Sequence, residues 1–74
     1  MTSEHFSTYR QLDYLLLQQA TGTATELADR LDIDRSTVFR YLNELRNLGA
    51  EIEYNRKQMT YWYINNFSLQ NYFS

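Results

Sequence analysis

Hydrophobic positions along this chain keep a helical period as far as Leu48 and then switch to a period of two. Between about Glu4 and Gln19, the residues Tyr9, Leu12, Leu16 and Gln19 recur at spacings of three and four; Leu15 widens the stripe and Phe6 extends it by one turn. That period predicts a first amphipathic helix, with Gly22 marking the break after it. Thr23-Ala24-Thr25-Glu26 then has the form of a capping box, in which the Thr23 hydroxyl accepts the Glu26 backbone N–H and the Glu26 carboxylate accepts the Thr23 N–H. Leu27, Ala28 and Leu31 provide one apolar face for a second helix ending near Leu31. Ala28 is small, as a close crossing of two short helices requires.

Asp32-Ile33-Asp34 reads as a tight turn, with Ile33 an apolar plug that sets the angle between the helices. Asp34 has an N-cap side chain, suited to accept the N–H of Ser36 or Thr37, and its charge suits a helix N-terminus. A third helix is predicted over 35–48, burying Val38, Leu42, Leu45 and Leu48 with Tyr41 beside them, and Gly49 is the expected left-handed terminator. Beyond it Ile52 and Tyr54 alternate with Glu51 and Glu53, and Trp62 and Ile64 with Tyr61 and Tyr63. Two such runs around a turn near Asn55–Gln58 predict a hairpin over 51–64. Its expected inner face is Ile52, Trp62 and Ile64, with Trp62 mostly buried. The domain is expected to occupy 1–66. The tail 67–74, with Phe67, Leu69, Tyr72 and Phe73, is too apolar for a free linker. It is expected to pack on helix one, to pair with another subunit, or to lead into a further domain.

This order of elements, with Glu26-Leu27-Ala28, Leu31, Ile33, Asp34, Thr37-Val38, Arg40, Leu42, Leu45-Arg46, Gly49 and Ile52, resembles the winged helix-turn-helix domains of bacterial transcription regulators. The likeness is to the N-terminal domains of DeoR-like and WYL-containing regulators and of the biotin-operon repressor, and it spans roughly Tyr9 to Ile64. It implies a mainly α fold, a three-helix bundle plus a wing, that binds double-stranded DNA. Three departures stand out. Asp34 occupies a cap commonly filled by Ser, Tyr41 follows Arg40 where a charged residue is common, and the hairpin tip lacks the usual glycines.

On that reading the third helix lies in the major groove. Arg35, Ser36, Phe39, Arg40 and Asn43 form the face offered to base edges. Arg can take guanine O6 and N7 together, Asn can pair with the adenine edge, and Phe can meet a thymine methyl. Thr25, Thr37, Arg56 and Lys57 are the expected backbone contacts, and the Ser36 or Thr37 hydroxyl suits a phosphate. Arg46 suits the end of its helix with or without DNA.

Charge complicates the picture. The 74 residues carry a net −2. Residues 1–29 hold Arg10 against Glu4, Asp13, Glu26 and Asp29, whereas residues 30–57 hold six basic and five acidic side chains. Such a balance predicts modest non-specific DNA affinity. It leaves open a second function, a winged-helix module that grips another protein through exposed aromatics and does not read DNA.

The remaining chemistry is sparse. There is no cysteine, which removes disulfides and thiolate metal sites. His5 stands alone and is expected on the surface. No motif places Ser, His or Asp for catalysis, so no catalytic residue, metal or cofactor is expected. The first ten residues lack the form of a signal peptide, and Tyr14-Leu15-Leu16-Leu17 is far too short to span a bilayer. A cytoplasmic protein is expected. A single domain this size offers DNA only about 600–1,000 Å². A homodimer on a palindrome, through the aromatic tail, or a C-terminal effector domain or partner protein, is therefore expected as well.

Overall fold

The computed structural model describes residues 3–69 and 71, with side chains described from Ser7 onward. Three helices, α1 (Ser3–Gln18), α2 (Ala24–Leu31) and α3 (Arg35–Asn47), precede two strands, β1 (Ile52–Asn55) and β2 (Thr60–Tyr63). The strands pair antiparallel, Ile52 opposite Tyr63 and Asn55 opposite Thr60. This is a winged helix-turn-helix: a three-helix bundle with one hairpin. The expectations for His5, Phe6, Tyr72 and Phe73 fall outside the described side chains.

Local chemistry places the helix ends. The capping box forms as the spacing predicts: Glu26 N–H donates to Thr23 Oγ1 (3.2 Å) and Thr23 N–H donates to Glu26 Oε1 (2.9 Å). Gly22 has φ +73, and a Cβ there would lie 2.5 Å from Glu26 Oε1. Its lack of a side chain therefore leaves room for the box. It lies in the break between α1 and α2, as expected. Each helix closes through a left-handed residue and a six-to-one backbone bond: Ala20 N–H to Leu15 O, Ile33 N–H to Ala28 O and Ala50 N–H to Leu45 O, all 3.0 Å. Gln19 (φ 54), Asp32 (φ 58) and Gly49 (φ 117) are the residues that turn. Gln19 is exposed, although its spacing from Leu12 and Leu16 continues the apolar stripe, because the helix has already ended at Gln18.

The core joins Leu12 and Leu16 of α1 to Leu27 and Leu31 of α2 and to Val38, Leu42 and Leu45 of α3; Ile52 joins it from the hairpin, and Tyr41 packs on Tyr9 of α1, ring centroids 4.4 Å apart. Ile33 and Leu48 pack against its edge as the pattern predicts. The phase of β2 differs from the expectation. The buried side chains opposite α1 are Ile52 and Tyr63, while Trp62 is only half-buried and Ile64 is exposed. A one-residue change of phase exchanges the two faces of a strand. Tyr61, Trp62, Tyr63 and Ile64 are all large and β-prone, so the local pattern was neutral.

Buried polar ties break that neutrality. Tyr63 Oη donates to Asp13 Oδ1 (2.7 Å), which also accepts the Leu69 N–H (2.9 Å). Burial, with Asp13 beside it, pushes the Tyr63 phenol far above its ordinary value. At the other end of β2, and on its opposite face, Thr60 (1% exposed) meets Thr21 (0% exposed), hydroxyl oxygens 3.1 Å apart. Thr21 N–H donates to Thr60 Oγ1 (3.0 Å) and Tyr61 N–H to Thr21 Oγ1 (2.8 Å). The α1–α2 linker is thus stitched to the start of β2. Leu69 is buried and Phe67 lies against the Tyr63 ring, centroids 5.3 Å apart, so this part of the tail folds back onto α1 and the hairpin.

Candidate nucleic-acid interface

Helix α3 directs its long apolar side chains Val38, Tyr41, Leu42 and Leu45 inward. At 3.6 residues per turn, the opposite direction falls on Ser36, Arg40, Asn43 and Asn47, all exposed. Arg35, Phe39 and Arg46 lie to the hairpin side of that line. Thirteen residues make a rod about 20 Å long, whose width of about 10–12 Å matches a major groove about 12 Å wide. All five side chains expected at base edges therefore share one accessible surface.

The N-terminus of α3 is more committed than its sequence suggests. Asp34 caps it by accepting the Thr37 N–H at Oδ1 (3.0 Å), and the Ser36 hydroxyl donates to the same oxygen (3.3 Å). Hydrogen bonds from the Thr37 side chain and backbone lower the Asp34 carboxyl below its ordinary value of 3.8. The cap is therefore an anion at the start of α3. The Ser36 hydroxyl proton is turned toward it, so a phosphate contact there requires the hydroxyl to rotate. Thr37 is half-buried, whereas Thr25, in the first turn of α2, is exposed.

One face of the hairpin carries an aromatic pair near the arginines of α3. Tyr54 and Tyr61, directly opposite in the ladder, have ring centroids 4.8 Å apart. Burial raises the Tyr61 phenol above 10.0 and Tyr54 adds to the shift, while the positive charges of Arg35 and Arg46 oppose it. Arg46 also bridges the elements, donating from Nη2 to Ile52 O (3.0 Å) and from Nη1 to Asn43 Oδ1 (3.1 Å). Asn43 thereby has its acceptor oxygen engaged, on a residue that is exposed. Arg46 has a structural task beyond the helix dipole.

At the tip, Asn55 Oδ1 accepts the Lys57 and Gln58 N–H groups at 2.9 and 3.1 Å. Met59 takes φ 53, the position a glycine would ordinarily fill. The turn occupies 56–59 rather than 55–58, and leaves Arg56 and Lys57 exposed beyond the strands.

Together these elements form a helix-turn-helix held by two caps, with a polar outward face and a basic-tipped hairpin. The sequence model of the HTH domain family matches residues 10–62. The chain belongs to the HTH domain family. No curated protein and no solved structure matches it. The match covers the HTH domain from the second half of α1 into β2, and therefore both the turn and most of the wing.

Within this HTH domain, sequence reasoning missed Tyr54, Tyr61 and Asn47. Asn47 lies four residues beyond Asn43 and was accessible from spacing alone. The tyrosines were not, because their role depends on which strand face meets α3. Among the described residues no group of acidic and imidazole side chains is arranged to hold a metal ion, and no helix is long and apolar enough to cross a membrane.

Proposed function

We propose that this HTH domain binds double-stranded DNA sequence-specifically, as a transcription regulator or the DNA-binding part of one, of the DeoR-like, WYL-regulator or biotin-operon-repressor type. Helix α3 enters the major groove with Arg35, Ser36, Phe39, Arg40 and Asn43 toward base edges. Thr25, Thr37, Arg56 and Lys57 engage the flanking backbone. The observation that carries this reading is the division of α3: all its large aliphatic side chains turn inward, and the outward face combines Arg40 and Asn43 with the Arg35–Phe39 pair. Arg and Asn are the side chains whose forked donors and acceptors match guanine and adenine.

The acidic balance means that one domain holds DNA weakly, so we place two on a palindrome with half-sites about 34–36 Å apart. Tyr14 and Leu17 on α1 and Ile64 after β2 are exposed apolar side chains that can meet the second subunit. Selection from random duplexes, with a mass measurement of the free and bound protein, tests both parts. Arg40→Ala is expected to cost about 1–3 kcal/mol on the selected duplex and to relax one base position. Unchanged affinity in Arg40→Ala, or binding that is flat in salt, would transfer the function to the second reading. That reading is a protein-interaction winged helix, favoured by the 41% exposure of Phe39 and by the net charge of −2.

A further inference from the structure

The pair Arg35–Phe39 is the most specific arrangement on the outward surface. The residues are four apart, at the N-terminal end of α3, and the Arg35 guanidinium lies over the Phe39 ring, 5.7 Å from its centroid. Phe39 is 41% exposed, and it is the one apolar side chain of α3 outside the buried stripe. The Asp34 carboxylate bonds Ser36 and Thr37 through Oδ1. The guanidinium is held by an aromatic face on one side and keeps its forked edge for a ligand.

We infer that Arg35 and Phe39 act as one unit that reads a guanine together with a C5-methylated pyrimidine in the neighbouring base pair. The inference rests on the DNA-binding reading above and names what that surface selects. An arginine paired to guanine O6 and N7 lies in the plane of that base. With the guanidinium over the ring, the two cannot share one plane, so the ring is set off from the guanine toward the adjacent pair. Base pairs repeat about every 3.4 Å, and the guanidinium-to-centroid separation of 5.7 Å is long enough to span that step. The apolar feature a neighbouring pair offers in the major groove is the thymine C5 methyl. Cytosine lacks it and 5-methylcytosine restores it. The domain therefore distinguishes methylated from unmethylated cytosine at this position.

The test uses the full chain and the duplex recovered by selection. At each thymine in a base pair neighbouring a guanine, on either strand, deoxyuridine replaces thymine, which deletes only the methyl group. Wild-type affinity is expected to fall about fourfold at one such position, the worth of one methyl taken out of water. In Phe39→Ala the same replacement is expected to change nothing. With cytosine at that position, C5 methylation is expected to restore a similar factor to the wild type alone. Because the uridine and methylcytosine comparisons alter the DNA, they stand even where Phe39→Ala folds poorly. Equal affinity for thymine and uracil at every such position overturns the proposal, as does a selected site in which no base pair neighbouring a guanine contains thymine. An effect that persists unchanged in Phe39→Ala overturns it too. Each of these leaves sequence-specific binding intact, whereas recovery of no preferred duplex overturns the DNA-binding reading itself.

Discussion

Removing the Asp13 carboxylate tests how the hairpin and the returning tail are held to α1. In Asp13→Ala two donors are deprived of their acceptor together: the Tyr63 hydroxyl, on a residue 8% exposed, and the Leu69 N–H, on a residue 4% exposed. An orphaned buried donor costs about 1–3 kcal/mol, so the pair costs about 2–6 kcal/mol. A chain of 74 residues has about 4–11 kcal/mol of total stability at the usual density per residue. The deficit is therefore a large share of the whole. Asp13→Asn keeps an acceptor oxygen and gives up only the charge assistance, about 1 kcal/mol for each of the two bonds. Urea unfolding followed by circular dichroism and Trp62 fluorescence should show the midpoint falling in the order wild type, Asn, Ala, with an unchanged slope. Tyr63→Phe combined with Asp13→Ala should be less than additive, because both remove the same bond. If Asp13→Ala stayed within about 0.5 kcal/mol of wild type, the range of ordinary surface substitutions, the carboxylate would not be the tie described.

Gly22→Ala should destabilise by about 1–3 kcal/mol, because it adds a side chain at φ +73 and crowds the carboxylate of the capping box; helix content and thermal midpoint check it. Tyr63 has its phenol raised in the folded state, so its contribution is complete below pH 10 and declines as pH rises beyond that value. Accordingly the alkaline limb of the stability profile should be flatter in Tyr63→Phe. Replacing Arg56 and Lys57 by Ala should weaken binding to all duplexes alike and reduce the salt slope by about 0.9 for each phosphate no longer neutralised, as measured by titration at several salt concentrations. Asp34→Ser keeps a cap but removes its anion, and should raise affinity for duplexes of every sequence in the same assay.

The three helices and their starts were legible because each depends on residues close in sequence. Thr23 and Glu26 make their box within one turn, Asp34 reaches Thr37 across three residues, and the Val38–Leu42–Leu45 stripe expresses the 3.6-residue period. The outward set of α3 followed from the same period, since the residues left over by a buried stripe must face away from it. The family match, covering residues 10–62, agrees with that local pattern. Choices between equivalent local alternatives were not legible. Gln19 takes the left-handed position that closes α1, although a glycine is the ordinary choice there, because the tertiary path selects where the chain turns.

The sequence by itself determined that this chain forms a capped helix-turn-helix with a hairpin after it, and which side of α3 is free to meet a ligand. Only the tertiary structure decided which face of β2 turns toward α1. Tyr63 goes in because its hydroxyl finds Asp13, 50 positions away. Thr60, on the opposite face at the start of the strand, is buried by Thr21, 39 positions away. With Tyr63 inward, Tyr61 is set on the same side, against Tyr54 and near Arg35 and Arg46. A strand's alternation has two phases of nearly equal local merit when both faces carry large aromatic residues. The buried donors and acceptors that break the tie are distant in sequence, so no local pattern can reveal them.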